Sequence, residues 1–274
     1  AGEGFRMHGK TLPSEARDTF TYTVRSPLGV VGLIAPWNFP WAIPVWKSAP
    51  ALAAGNCVIF KPAELTPATA TLLTEIYQDA GLPPRVFNMV VGSGSVVGEA
   101  MVHSPVLRAI SFTGSNEIGG ALYAKAAQRG AKVTCEMGGK NAVIVMADAD
   151  LDKAAVAIHG GAFGSTGQRC TATSRVIAAP SVKDALVARL VEAAKKIKIG
   201  SGLDESVDMG PAVNEAQLKT DLSYVEIGKD EGAKLACGGN RLDKGAYQYG
   251  FFMEPTVFID VDRKMRIAQE EIFG

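Results

Sequence analysis

One cysteine of this chain stands in a setting suited to nucleophilic chemistry. Cys170 lies in a loop of small residues, GSTGQRCTATS at 164–174, between a predicted helix and a predicted strand. Nucleophiles favour exposed turns of this kind, and the neighbouring Arg169 would favour the reactive thiolate. A free cysteine is more often a small buried hydrophobic residue, so the pattern alone leaves both interpretations open.

Two further polar residues suit acid–base or oxyanion chemistry. Glu136 stands in an otherwise apolar segment, VTCEM at 133–137, where a carboxylate must be paired or serve as a general base. Asn38 lies between Trp37 and Phe39 in a turn bounded by prolines, and an amide held there could donate to a developing oxyanion. A structural carboxylate and an ordinary turn asparagine are the alternatives.

Two glycine-containing turns have properties of phosphate-binding sites. The turn at 92–98 follows one predicted strand, the turn at 114–120 follows the next, and each opens a helix. Free backbone N–H groups and the positive end of a helix favour phosphate at such a position. Neither turn has the strict GxGxxG spacing, so an ordinary strand–helix turn is the alternative for each. Two in succession favour a nucleotide site at the carboxyl edge of a sheet.

A cation and a carboxylate follow an earlier predicted strand. Lys61 and Glu64 belong to the sequence KPAE, which comes directly after the buried run CVIF at 57–60. At a strand–helix loop, these side chains could contact the hydroxyls of a ribose, and the lysine could contact phosphate. On this spacing alone, a solvated charge pair at a helix start is the favoured interpretation.

The elements that must position these residues alternate between strand and helix. Strands are predicted at 57–61, 86–91, 107–112 and 132–136, with helices at 41–54, 66–80, 94–103 and 117–128. This alternation predicts βαβ units and a parallel sheet. After Gly138 and Gly139, further strands are predicted at 142–146 and 175–179, and helices at 151–163, 182–197 and 214–232. The pair of glycines is therefore the predicted boundary between two α/β domains.

The segment before this array has a different pattern. Residues 19–25 alternate between apolar and polar, a turn follows at 26–29, and residues 30–35 form an apolar run. We expect the two runs to pair as a β-hairpin.

Composition excludes several classes of protein. The 274 residues carry 28 Lys and Arg against 28 Asp and Glu, which argues against a nucleic-acid binder that relies on bulk charge. The sequence has no apolar run long enough for a membrane span and no visible signal peptide. The four cysteines fit neither a zinc site nor a disulfide framework, and the three histidines form no pair with metal spacing. Free thiols in a reducing compartment, and no bound metal, are expected.

Six ordered motifs resemble one known family, the NAD(P)-dependent aldehyde dehydrogenases. They are PWNFP at 36–40, KPAELTP at 61–67, FTGSNEIG at 112–119, EMGGKN at 136–141, GQRCTATSR at 167–175 and EEIFG at 270–274. The resemblance covers essentially the whole chain. It implies an α/β fold with a Rossmann-like cofactor-binding domain at 36–138 and an α/β catalytic domain at 139–274. Residues 1–35 would be an N-terminal region with the hairpin as its oligomerisation element.

The resemblance assigns roles to the residues described above. Cys170 resembles the nucleophile that forms a thiohemiacetal and then a thioester. Glu136 resembles the general base that activates Cys170 or the hydrolytic water, and Asn38 with the backbone N–H of Cys170 resembles the oxyanion hole.

The family's cofactor contacts also have counterparts in this chain. Those to the adenosine ribose are Lys61 and Glu64, those to the pyrophosphate are Gly114 and Ser115, and those to the nicotinamide half are Glu271 and Phe273. Glu64 would repel a 2′-phosphate, which favours NAD over NADP.

The segment STGQRCTATSR is most similar to the 2,5-dioxopentanoate (α-ketoglutaric semialdehyde) dehydrogenase branch. The implied substrate is an acid semialdehyde, with Phe39 and Trp46 as pocket walls and Arg169 as the partner of the distal carboxylate. Next to the nucleophile, the Arg169 side chain could instead point into the fold.

Other members of the family remain as alternatives. They are a succinate semialdehyde or general aldehyde dehydrogenase, an acylating relative that uses coenzyme A, and a non-catalytic relative. Retention of Glu136 speaks against the acylating relative, which needs no activating glutamate. The resemblance further implies a cytoplasmic homodimer or homotetramer. Because family members extend beyond both ends of this sequence, we expect an internal segment that is unstable or inactive by itself.

Overall fold

The computed structural model describes residues 2–274, which divide into two compact units. Unit 1 ends at Met137, and unit 2 comprises Gly138–Gly274. Each unit has its own strands, helices and apolar core, and each is described by itself below.

Unit 1 is an α/β unit built around a parallel sheet. Its strands are β1 Thr11–Leu12, β2 Thr21–Tyr22, β3 Val30–Ile34, β4 Cys57–Lys61, β5 Phe87–Met89, β6 Leu107–Gly114 and β7 Lys132–Met137. Its helices are α1 Ala42–Ala53, α2 Pro67–Asp79, α3 Glu99–His103 and α4 Asn116–Gln128. Strands β3 to β7 form one sheet in the order β5-β4-β3-β6-β7, in which every pairing is parallel. The predicted βαβ array and parallel sheet are confirmed.

The predicted hairpin is wrong. Strand β3 does not pair with 19–25 but lies in the centre of the sheet between β4 and β6, while β2 pairs antiparallel with β1. The reason is burial: Val31, Leu33 and Ile34 are all buried, so this strand needs cover on both faces. Residues 20, 22 and 24 are largely exposed and offer β3 no apolar face to pack on.

Local sequence explains where the helices of unit 1 begin. Proline at the first position of α2 fits there because the first helical N–H has no intrahelical partner. The Ser115 hydroxyl caps α4 by accepting from the N–H of Ile118. The predicted helix at 94–103 is instead a π-helical turn at Gly94–Gly98 followed by α3. Two apolar clusters fill the faces of the sheet, one centred on Val58 and Phe60 and the other on Leu107 and Ile110.

Unit 2 is a second α/β unit with short sheets. Its strands are β8 Ala142–Val145, β9 Arg175–Ala178, β10 Lys234–Cys237, β11 Arg241–Leu242, β12 Phe252–Met253 and β13 Val257–Ile259. Its helices are α5 Leu151–Phe163, α6 Lys183–Lys196, α7 Glu215–Asp230 and α8 Arg266–Gln269. Strands β8 and β9 pair in parallel, and the remaining strands form the antiparallel pairs β10–β13 and β11–β12.

The core of unit 2 lies where α5 and α6 cover β8. Val145, Ile158 and Leu186 are its central members. Asp150 caps α5 through its carboxylate, and Asn214 caps α7 through its side-chain oxygen. Within residues 2–274, no helix is both long enough and apolar enough to cross a membrane.

Candidate active site

The candidate residues of unit 1 meet at the carboxyl edge of its sheet. From β3 the chain proceeds to β4 and β5 on one side, and then returns to place β6 and β7 on the other side. The order therefore reverses between β3 and β6, and a crevice at such a switch point is where open α/β sheets bind ligands. Asn38 follows β3, Lys61 ends β4, Gly114 ends β6 and Glu136 lies near the end of β7. Four predicted residues thus share one edge because their strands are parallel neighbours.

The turn after β3 places Asn38 and Phe39 in different roles. Asn38 is half-buried in the turn between β3 and α1. Phe39 packs against the cluster around Phe60, and its carbonyl accepts from the N–H of Ile43. Trp46, predicted as a pocket wall, lies on α1 and is 54% exposed.

Lys61 is buried and Glu64 is exposed. The Lys61 ammonium donates to the carbonyl of Pro62 at 3.0 Å. Burial lowers the pKa of Lys61, and the negative charge of Glu64 opposes this shift. The lysine is therefore held at the strand end by its own backbone, while the glutamate reaches solvent.

The turn after β6 presents the start of a full-length helix. Gly114 is the last residue of β6, and Ser115 is the N-cap of α4, with its hydroxyl used by the cap. Because α4 follows β6 directly, its N-terminus lies at the switch point. The helix is thirteen residues long and therefore has a positive N-terminal end. An anionic group such as a phosphate would be favoured at this position.

Glu136 is exposed on β7, although the segment around it in the sequence is mostly apolar. Lys47, on α1, is the charged neighbour that sequence reasoning missed. Its ammonium donates to the Ser111 hydroxyl at 2.8 Å and to the carbonyl of Phe112 at 3.3 Å. Burial lowers the pKa of Lys47, while Glu136 and then Cys135 raise it. A lysine within the apolar helix AIPVWKSAPALA was the available signal.

In unit 2, a run of left-handed residues leads to Cys170. Ser165, Thr166 and Gly167 have φ values of 53°, 57° and 69°. A β-branched residue rarely adopts such a φ, so this turn stores strain of about 1–3 kcal/mol at each non-glycine position. The Thr166 hydroxyl is fixed by donation to the carbonyl of Gly210. Strained turns of this kind cluster at functional sites.

Hydrogen bonds to residues outside the loop hold the backbone around Cys170. The Asn141 amide donates to the carbonyls of Cys170 at 2.8 Å and Ala172 at 2.9 Å. The Gln168 amide donates to the carbonyl of Pro211, and its oxygen accepts from the N–H of Val213. Cys170 itself is half-buried, as are Cys57, Cys135 and Cys237.

Arg169 turns toward the end of α5. Its guanidinium donates to the carbonyls of Gly160 and Gly161, both at 2.9 Å. These are two of the last four carbonyls of the helix, and a cation is favoured at that end. The structure therefore places the Arg169 side chain in the fold, the second of the two arrangements considered from the sequence.

Glu271 and Phe273 lie in the segment 270–274, which follows α8. The Glu271 carboxylate accepts from the N–H of Gly139 at 3.2 Å. Phe273 has a φ of 69°, an outlier for a bulky residue. Two cations that the sequence analysis did not assign to the site stand near this segment. Arg175 donates to the carbonyls of Ala268 and Lys140, and burial, followed by the charge of Arg175, lowers the pKa of Lys140 to about 8.

The sequence profile of the aldehyde dehydrogenase family matches residues 1–274. The chain therefore belongs to the aldehyde dehydrogenase family. It is 50% identical over 274 residues to the α-ketoglutaric semialdehyde dehydrogenase of Bacillus subtilis, covering 100% of this chain and 56% of the relative. It is also 50% identical over 273 residues to the 2,5-dioxopentanoate dehydrogenase of Saccharolobus solfataricus, covering 98% of this chain and 56% of the relative.

Solved structures show that the fold is also that of an aldehyde dehydrogenase. A betaine aldehyde dehydrogenase from Staphylococcus aureus, crystallised with NAD+, superposes with a TM-score of 0.97 at 38% identity. The match covers 100% of this chain and 54% of that structure. The chain spans about half the length of the curated relatives it matches.

Proposed function

We propose that the protein containing this chain oxidises an aldehyde to a carboxylic acid with NAD, through a covalent thioester on Cys170. The observation that carries the proposal is the match of the whole chain to the family together with the strained loop that presents Cys170. Division of the reaction into a covalent oxidation and a hydrolysis makes each step easier than a single direct conversion.

The proposed chemistry uses three residues that stand in the family's motifs. The Cys170 thiolate attacks the aldehyde carbon to give a thiohemiacetal. The oxyanion of this thiohemiacetal accepts hydrogen bonds from the Asn38 amide and the backbone N–H of Cys170. Loss of one such donor costs about 3–4 kcal/mol of barrier in other enzymes. Glu136 acts as the general base, either for the thiol of Cys170 or for the water that hydrolyses the thioester.

The cofactor proposal rests on the carboxyl edge of unit 1 and the segment 270–274 of unit 2. The start of α4 at the switch point fits a pyrophosphate near Gly114 and Ser115. Lys61 and Glu64 would hold the adenosine ribose, and Glu271 and Phe273 the nicotinamide half. When bound, NAD would supply the hydride acceptor for oxidation of the thiohemiacetal to the thioester. The exposed carboxylate of Glu64 favours NAD over NADP because it would repel a 2′-phosphate.

The proposed substrate is an acid semialdehyde such as 2,5-dioxopentanoate, with succinate semialdehyde as the alternative. Support comes from the two relatives at 50% identity, whose names state these activities. We assign Arg169 to the shape of the Cys170 loop, because its guanidinium already binds two carbonyls of α5. Phe39 and Trp46 remain candidate pocket residues. The family resemblance also leads us to propose a cytoplasmic homodimer or homotetramer.

The test uses the product of the complete gene. Formation of reduced cofactor is followed with 2,5-dioxopentanoate, succinate semialdehyde and a plain alkanal, each with NAD and with NADP. We expect a higher kcat/KM for a semialdehyde with NAD, and we expect Cys170→Ala to abolish turnover while Cys57→Ala, a matched cysteine change on β4, leaves it unchanged.

Other outcomes discriminate among the alternatives. A kcat/KM that is higher for a plain alkanal than for both semialdehydes would contradict the proposal of an acid semialdehyde as substrate. Turnover that requires coenzyme A would indicate an acylating enzyme. A folded protein that oxidises none of the aldehydes would indicate a non-catalytic member of the family.

A further inference from the structure

Helix α7 presents three polar side chains to the segment 270–274. Gln217, Asp221 and Tyr224 are spaced i, i+4 and i+7, which places them on one face of the helix. The Gln217 amide donates to the carbonyl of Ile272 at 2.9 Å, and the Tyr224 hydroxyl donates to the carboxylate of Glu270 at 2.6 Å. The first and the third residue of this segment are thus bound to one helix.

Asp221 is the buried member of the three. It is 5% exposed, and its Oδ1 accepts from the Gln217 amide at 2.7 Å. Burial raises the pKa of Asp221 to about 6, and the hydrogen bond from Gln217 opposes this shift. A carboxylate in such a place opposes folding, so its presence calls for a role that an apolar residue would not fill.

The Gln217 amide group explains how Asp221 acts at a distance. Its two hydrogens go to Asp221 Oδ1 and to the carbonyl of Ile272. Both partners are acceptors only, so just one orientation of the amide satisfies them. Asp221 therefore fixes the orientation in which Gln217 holds Ile272.

The Asp221 carboxylate also lies directly against Gly274. A Cβ atom on Gly274 would overlap both carboxylate oxygens, so a side chain at this position would force the Asp221 carboxylate to move. Phe273, the residue between these two anchored neighbours, has the left-handed φ of 69°. Such a conformation persists only where the surroundings impose it.

We propose that Asp221 is a positioning residue for the cofactor segment. Through Gln217 and by contact with Gly274, it fixes Ile272 and Gly274, and so holds Phe273 and the adjacent Glu271 in the arrangement that NAD meets. The inference rests on the proposed function, in which Glu271 and Phe273 hold the nicotinamide half.

The test compares Asp221→Leu and Asp221→Asn in the product of the complete gene. Asparagine keeps an oxygen that accepts from Gln217, whereas leucine keeps the size and removes the acceptor. Asp230→Leu and Asp230→Asn, at an exposed position of the same helix, are the matched controls. Titration with NAD alone gives its Kd, and hydrogen–deuterium exchange reports on the peptide that contains 270–274.

We expect Asp221→Leu to weaken NAD binding about tenfold and to raise exchange in 270–274, with the KM for aldehyde within about twofold of wild type. Asp221→Asn should recover most of the NAD affinity, and the controls should match wild type. A folded Asp221→Leu variant with unchanged Kd and exchange overturns the proposal. Asp221→Ser serves the same comparison if the leucine variant does not fold.

A double-mutant cycle tests the route through Gln217. If Asp221 acts through Gln217, then Gln217→Leu combined with Asp221→Leu should weaken NAD binding no more than about twofold beyond either single change. Fully additive losses would contradict this route. A wild-type protein that binds no NAD would refute the proposed function, while the exchange of 270–274 would still report on whether Asp221 holds the segment.

Discussion

At the scale of single residues, Asp221 makes the stability of unit 2 depend on pH. Its pKa in the folded chain is about 6, against a value of 3.8 for the free group. Between these two values the folded state binds more protons than the unfolded state. The free energy of unfolding therefore falls as pH rises through this window, and the contribution of the protonated form is lost above it.

We expect Asp221→Asn to remove this dependence, because asparagine has no charge at any pH in the window. The gain in the free energy of unfolding should be near zero below pH 4 and reach about 3 kcal/mol above pH 7. Denaturant titrations of wild type and variant at several pH values give this difference directly. A gain that stays constant from pH 4 to pH 8, or one matched by Asp230→Asn, would contradict the assignment.

The residues that we propose to have a chemical role can be predicted from the sequence, whereas those that support them cannot. Cys170, Glu136 and Asn38 were singled out because their types and neighbours suggest chemistry. Lys47 and Asp221 are single charged residues in helices. Only their burial in the structure distinguishes them from ordinary charged residues on a helix surface. The contacts of Arg169 with α5 depend on the left-handed φ values of Ser165 and Thr166. The sequence does not predict these values, because serine and threonine seldom adopt them.

At the scale of elements, the turn from α5 into the Cys170 loop is tightly constrained. Gly167 has a φ of 69°, and a Cβ there would lie 2.9 Å from the carbonyl carbon of Gly274. The turn that presents Cys170 and the segment that contains Glu271 and Phe273 therefore touch at a glycine. A change at this position should disturb both.

Gly167→Ala should lower the free energy of unfolding by about 1–3 kcal/mol, through both the strained φ and the close approach to Gly274. It should also change the rate at which Cys170 reacts with a thiol reagent, because the loop must shift. Gly160→Ala is the matched control, because Gly160 lies within α5 with open space around its Cα, and alanine there should stabilise by about 1 kcal/mol. Equal effects of the two changes on stability would contradict this account.

Element types were predictable along most of the chain, but one pairing was not. Strand β4 and helices α2 and α5 begin where turn residues, proline and caps indicate. The partners of β3 could not be read locally, because they lie at 57–61 and 107–114. The alternating segment 19–25 is near in sequence and therefore suggests itself as the partner of β3. The burial of both faces of β3 shows why it is not.

At the scale of the whole molecule, the chain contains separate apolar cores. The clusters of unit 1 surround its parallel sheet, with Phe60 fully buried. The cluster of unit 2 lies among β8, α5 and α6, with Leu186 at 1% exposure. Among the residues that the structure describes, none belongs to the clusters of both units, so each unit is expected to have its own local stability.

We expect Phe60→Ala to lower hydrogen-exchange protection in β3, β4 and β6, and Leu186→Ala to lower it in β8, β9, α5 and α6. The loss should be about 2–5 kcal/mol in each case because both changes leave a cavity. Phe20→Ala and Leu203→Ala, which alter exposed side chains, are the controls in the two units. Equal loss of protection in both units after either core change would indicate a single cooperative unit.

The central position of β3 has a consequence for synthesis on the ribosome. Its partner β6 begins at Leu107, so one edge of the apolar strand VVGLI stays open after Ile34 has been made. At ordinary translation speeds this interval lasts roughly 4–15 s. An unpaired apolar edge is a template for aggregation. The nascent chain is therefore a natural client for chaperones during this interval, and slow codons between the two strands would lengthen its exposure.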